Sequence, residues 1–311
     1  MMTVLSLSLK LILLIAVGYA AAKLRALPKG FGQVLTKIVL NVSLPALIIS
    51  TFRIEFHPEQ LLNCGILLIA AIGVIILSSV AGQIMCLWAG RCGPGRVARF
   101  GMIITNFTFF GMPVIETLYG SLGLFYYTVF TIPFRIVYYA AAAPLLSGKL
   151  GSGSTKSNIR EFFSMPVIAV LVGIVIYVFG IELPGILDNT VTSLAATATP
   201  LALMVCGSLL ADADLKSIFA KPVVFIAAAV RLLVLPAAAL ALGKLAGLSP
   251  ILLQCVVIYC AMPVASLLPT FVVRYQPDLD SETLAGALVF VTTILCVLTI
   301  PLWALVLGEA A

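Results

Sequence analysis

Residues 61–89, LLNCGILLIAAIGVIILSSVAGQIMCLWA, hold no charged side chain. As a helix this stretch is about 40 Å long, more than the hydrocarbon core of a bilayer, about 30 Å, requires. Composition decides between a large soluble core and a membrane. The chain is 62% hydrophobic and 10% charged, with a mean hydropathy of +1.20, where a soluble domain is about 45–50% apolar and about 25% charged. Its polar groups cannot cover its own surface, so its solvent is lipid. The surplus length of 61–89 predicts tilt or a bend.

Ten runs are apolar enough to span: 4–22, 31–51, 61–89, 100–120, 122–147, 162–181, 189–211, 222–243, 249–272 and 283–307. The connections after the odd-numbered spans hold Lys23, Arg25, Lys29, then Arg91, Arg96, Arg99, then Lys149, Lys156, Arg160, then Lys216, Lys221, and Arg274. Those after the even-numbered spans hold only Arg53 and Lys244. The positive-inside rule makes the first set cytoplasmic and puts both termini on the non-cytoplasmic side of the plasma (inner) membrane. The net charge of +6 is thereby a topology signal and names no nucleic-acid partner. The N-terminal run lacks a cationic start and a small-residue cleavage site, and reads as a retained first helix. Seven cysteines sit almost wholly in apolar runs without CxxC spacing, and His57 is the one histidine. No cofactor, metal centre or acid–base pair is expected, and so no enzyme.

The longest polar connection, KLGSGSTKSNIRE at 149–161, divides the chain into five spans and five. Five is odd, so the second half enters the membrane upside down, and an inverted repeat is expected over 1–148 and 162–311. Two echoes support it. Gly111-Met112-Pro113 in span 4 matches Ala261-Met262-Pro263 in span 9, and SLPALII (43–49) resembles ATPLALM (198–204), pairing Pro45 with Pro200.

A proline inside a helix removes a hydrogen bond and clashes with the carbonyl four residues back, at about 3 kcal/mol. Pro113 frees the carbonyl of Phe109 and Pro263 that of Tyr259. Such backbone is tolerated at bilayer depth only inside protein or along a hydrated cavity. One reading is that the prolines merely kink packed helices. The other is that each motif ends one half-helix and starts another near the midplane, offering the positive end of a helix dipole to an anion.

These segments, LTKIVLNVSLPALIIS (35–50), TNFTFFGMPVIETLYG (105–120), ATATPLALMVCGSLL (196–210) and the run from Pro263 to Leu302, resemble the auxin efflux carrier family. The family includes plant PIN auxin exporters and bacterial carriers described as malate or malonate permeases. The resemblance implies an all-α polytopic membrane protein with ten transmembrane helices in two inverted five-helix repeats and broken, crossing helices 4 and 9. It implies an elevator-type carrier and a homodimer, with helices 1, 2, 6 and 7 as scaffold and helices 3–5 and 8–10 moving. It also places Asn106, five residues before Gly111, where PIN proteins hold a carboxylate. The long cytoplasmic loop of the larger PINs is absent, and the motif at the first break holds less proline and asparagine than theirs.

Arg135 lies mid-span in FRIVYY (134–139). A charge there costs at least about 2.5–3.5 kcal/mol on insertion scales and must face a partner or a cavity. It either meets a substrate carboxylate, with Tyr138 and Tyr139 as donors, or pairs internally, for example with Glu116. Arg231 in span 8 poses the same choice and leans to internal pairing. Glu116 is the one acid well inside a span and the candidate for proton coupling. The expected lining is Asn41, Ser43, Asn106, Gly111, Met112, Pro113, Arg135, Tyr138, Tyr139, Ala261, Met262 and Pro263. The expectation is a secondary carrier of small organic anions, carboxylates such as malate, malonate or auxin-like acids. A sodium-coupled bile-acid-type symporter and a membrane channel or receptor are its rivals.

Overall fold

A computed structural model describes residues 2–26, 28, 31–55, 57–90, 93–148, 164–211 and 222–308. The linker expected at 149–161 and the basic residues Lys29, Arg91, Lys149, Lys156, Arg160, Lys216 and Lys221 lie outside the described residues. The described chain is helical: α1 (Met2–Lys23), α2 (Phe31–Thr51), α3 (Pro58–Trp88), α4 (Gly93–Ile103), α5 (Phe107–Phe130), α6 (Ile132–Ser147), α7 (Met165–Phe179), α8 (Gly185–Ala211), α9 (Pro222–Leu245), α10 (Pro250–Cys260), α11 (Leu268–Tyr275) and α12 (Leu279–Leu307). Five of these, α2, α3, α8, α9 and α12, are long and apolar enough to cross a membrane alone. A sixth joins α5 to the start of α6 across a 43° bend. This is a polytopic integral membrane protein.

Helix starts follow local chemistry. Prolines open α3, α9 and α10, where the missing N–H would have no partner anyway. Asp278 caps α12 by accepting from the Ser281 N–H at 2.8 Å. Within α5, Gly120 takes φ 64° and ψ −161°, a conformation closed to other residues, and so divides the first half of α5 from the second.

Three prolines share one signature. A π-helical turn over Val39–Ser43, Phe107–Gly111 or Val230–Val234 stands just before Pro45, Pro113 or Pro236. Widening the turn lets the helix pass a residue that cannot donate. Two of the carbonyls left over find donors. Leu232, four before Pro236, accepts from the Trp303 indole at 2.9 Å, and Phe109, four before Pro113, faces the Cys206 thiol at 3.9 Å.

This corrects the expected position of the first break. The helix runs unbroken through Gly111, Met112 and Pro113, and the interruption lies upstream at Ile104–Asn106. The second break, at 261–267, does contain Ala261, Met262 and Pro263. The π turn explains the difference, because it absorbs Pro113 without ending the helix. The two interruptions meet as an antiparallel bridge between Thr105 and Val264. Asn106 N–H donates to the Pro263 carbonyl at 2.8 Å, and Ala265 N–H to Ile104 at 3.4 Å. The bridged residues stand 159 positions apart, not the 150 that separates Pro113 from Pro263.

α1 packs along α8, and α2 packs on α7 and on the first half of α8. The α1–α8 approach is close because Gly18 faces the Met204 backbone and Gly207 the Ile15 carbonyl, as small residues permit in lipid. Ser43 meets Thr197 at 2.8 Å between α2 and α8. Arg53 after α2 pairs with Asp188 of α8 and donates to Thr192 at 3.0 Å. α3 packs on α4, α9 on α10, and α12 on α4, α9, α10 and α11. The bridge lies in the core: Met102, Ile104, Tyr259, Met262 and Val264 are fully buried.

Candidate functional site

Where the two half-helices α5 and α11 begin, a cavity of about 140 Å³ opens. Thr105, Asn106, Phe107, Thr108 and Phe109 line it from the start of α5, and Ala265, Ser266 and Leu267 from the approach to α11. Leu40 and Asn41 of α2, Arg135 and Tyr138 of α6, and Ser164, Met165 and Pro166 at the start of α7 complete the wall. No side chain caps the first turn of α5 or of α11. Helix N-termini carry free N–H groups and about half a positive charge each. Two such starts adjoin one small space, although at α11 the Leu268 N–H is spent on the Ala265 carbonyl at 3.0 Å and Pro269 has none to offer.

Arg135 adds a full charge to it. The side chain is 6% exposed, its guanidinium carbon lies 5.0 Å from the Phe107 ring centroid, and Nη2 reaches the Met112 sulfur at 3.8 Å. Stacking over an aromatic face holds a guanidinium in place. Tyr138 supports the same wall, its ring packed against Phe100, Phe107 and Phe271. Asn106 is fixed by its backbone: its N–H is spent on Pro263, and its carbonyl accepts from Phe110 at 3.2 Å and Gly111 at 2.9 Å. Its side-chain amide points at the Cys206 sulfur, 3.6 Å away. Asn41 is exposed and donates to the Lys37 carbonyl at 2.9 Å.

Four of the expected residues, Asn41, Asn106, Arg135 and Tyr138, thus come together. Ser43 is instead engaged with Thr197. Gly111, Met112 and Pro113 lie buried deeper in α5, where Gly111 leaves room for the Tyr127 hydroxyl. Ala261, Met262 and Pro263 lie in the second break but outside the described cavity lining. The side chain of Tyr139 is outside the described residues. Glu116 accepts from the Thr199 hydroxyl of α8 at 2.5 Å.

Sequence reasoning missed the α7 wall, although a signal was present. The small–Met–Pro tripeptide occurs a third time, at Ser164-Met165-Pro166, and this copy lines the cavity. Arg231 is fully buried and donates to three backbone carbonyls, of Met102, Tyr259 and Met262.

Comparison with known proteins finds similarity to transporters. An uncharacterized transporter of Methanothermobacter thermautotrophicus (strain Delta H) is 26% identical over 311 positions, covering 96% of this chain and 97% of its own length. The family model described as "Membrane transport protein" matches residues 3–154 and 152–304. The chain belongs to this membrane transport protein family, that of the auxin efflux carriers.

Proposed function

We propose that the protein is a secondary carrier of small organic anions, carboxylates of a few carbon atoms, bound in the cavity beside Arg135. The observation that carries this reading is the convergence of a stacked, buried guanidinium with two uncapped helix N-termini. All three elements are positive, and a carboxylate is the small ligand they complement. The volume, about that of five waters in the liquid, suits a malonate- or malate-sized acid better than a bulky steroid.

The architecture is ten spans in two inverted repeats. Two features support it: residues 154 and 159 positions apart touch each other at Ser43–Thr197 and at Thr105–Val264, as mates beside a two-fold axis do. The exchanged contacts α1–α8 and α2–α7 fit the same axis. α1, α2, α7 and α8 serve as a scaffold and dimer platform, and the remaining helices carry the site past it. Both termini lie outside the plasma membrane.

Equilibrium binding of labelled malonate, malate and pyruvate to purified protein tests the site. Arg135→Ala is expected to weaken binding about 10- to 100-fold, the worth of a charged hydrogen bond of about 1.5–3 kcal/mol. Arg135→Lys keeps part of it. Unchanged affinity in Arg135→Ala removes Arg135 from the site.

A further inference from the structure

The bridge that joins the two broken spans creates four helix ends, and the cavity uses only two. The starts of α5 and α11 line it, whereas α4 and α10 arrive with their C-termini. Those ends carry carbonyls without intrahelical partners and about half a negative charge each. At bilayer depth water does not supply the missing donors.

Arg231 supplies them. It stands in the π turn of α9 that precedes Pro236 and is 0% exposed. Its Nη1 donates to Met102 in the last turn of α4 at 2.6 Å, its Nη2 to Tyr259 in the last turn of α10 at 3.4 Å, and its Nε to Met262 in the second break at 3.1 Å. The Tyr259 carbonyl, which Pro263 leaves over, also accepts from the Met262 N–H at 3.2 Å, so Arg231 is its second donor. Carbonyls at the C-terminal ends of broken helices are ligands that carriers offer a sodium ion, and here three of them are gathered on one guanidinium.

We infer that Arg231 is the built-in cation of this carrier: its guanidinium fills the carbonyl cage at the ends of α4 and α10, so no alkali ion binds there and none is required. The inference deepens the carrier reading and rests on it for its meaning, since it assigns the protein's transport to a class without a sodium ion at the crossing. It also sorts the charge. A side chain neutralises the carbonyl ends, and the N–H ends remain for the substrate. The lysine ammonium presents three donors from a single point, whereas the guanidinium fork spans carbonyls on separate segments.

The test is thermal unfolding of the purified full-length protein, read from tryptophan fluorescence. Trp303 is bonded to the carbonyl of Leu232, next to Arg231, and so reports locally. Sodium, lithium, potassium and choline chlorides at equal ionic strength are expected to give the wild type one melting temperature. Arg231→Ala is expected to melt on the order of 10 °C lower. Millimolar guanidinium or methylguanidinium, re-entering the vacated cage, is expected to restore at least half of that loss while leaving the wild type unmoved. Saturable stabilisation of the wild type by sodium or lithium over choline would overturn the inference. So would a deficit in Arg231→Ala that no guanidinium restores, or no deficit at all. Should Arg231→Ala not fold, the wild-type salt series and Arg231→Lys decide together: the Lys variant is expected to fold and to melt below the wild type, and one as stable as the wild type would overturn the inference. Carboxylate binding is measured separately, so a failed substrate reading leaves this outcome intact.

Discussion

At the residue scale, two buried arginines divide the work by the backbone they face. Arg135 lies over the Phe107 ring beside helix starts, and Arg231 holds helix ends. Both were legible as costly intramembrane charges facing the same choice, with Arg231 leaning to internal pairing, but its partners were not legible, because they are backbone carbonyls that carry no sequence label. Glu116 was legible in the same way, and its contact with Thr199 was not. That contact ties α5 to α8 through one hydroxyl. Glutamine retains an acceptor for this hydroxyl but takes up no proton. Glu116→Gln is therefore expected to keep downhill uptake and to lose acceleration by an inward proton gradient. Retained acceleration, measured by uptake at fixed substrate and varied external pH, would take Glu116 out of the coupling.

At the element scale, the prolines were read correctly as places where backbone is released, and the reading of a helix end holds at Pro263 but not at Pro113. Helix ends were instead set by Ile104-Thr105-Asn106, two β-branched residues and an asparagine. Their preference for extended and capping conformations is weak beside a proline and easily overlooked. The echo between Pro113 and Pro263 pointed to the right pair of spans with the wrong register. Five of the expected spans, 31–51, 61–89, 189–211, 222–243 and 283–307, fall on helices long and apolar enough to cross a membrane, as hydropathy alone places them. What hydropathy cannot give is which helices touch, because packing in lipid depends on small residues rather than on an apolar face. Gly18 and Gly207 set the α1–α8 distance. Gly207→Leu is expected to push the pair apart at about 1–3 kcal/mol, lowering the melting temperature by about 2–4 °C for each of them. An unshifted melting curve would show that α1 and α8 have slack at this contact.

At the scale of the whole molecule, the carrier reading requires one group of helices to move against the other. In that reading some contacts slide and others hold, and two pairs of residues distinguish them. Ser43 and Thr197 lie within the group α1, α2, α7, α8, while Glu116 and Thr199 join α5 to α8. In a variant lacking the native cysteines, cross-linking Ser43→Cys to Thr197→Cys is expected to leave exchange intact. Cross-linking Glu116→Cys to Thr199→Cys is expected to abolish it until the bond is reduced. Equal activity in both cross-linked forms, measured by counterflow, would contradict a moving group.

The most direct measurement is uptake of labelled malate, malonate, pyruvate and an aromatic acid into proteoliposomes under imposed pH, sodium and voltage gradients. The account predicts saturable uptake of at least one small carboxylate, indifferent to sodium and lost in Arg135→Ala. Absence of uptake for every acid under every gradient would contradict the anion-carrier claim, and sodium-dependent uptake that survives Arg135→Ala would contradict both the site and the built-in cation.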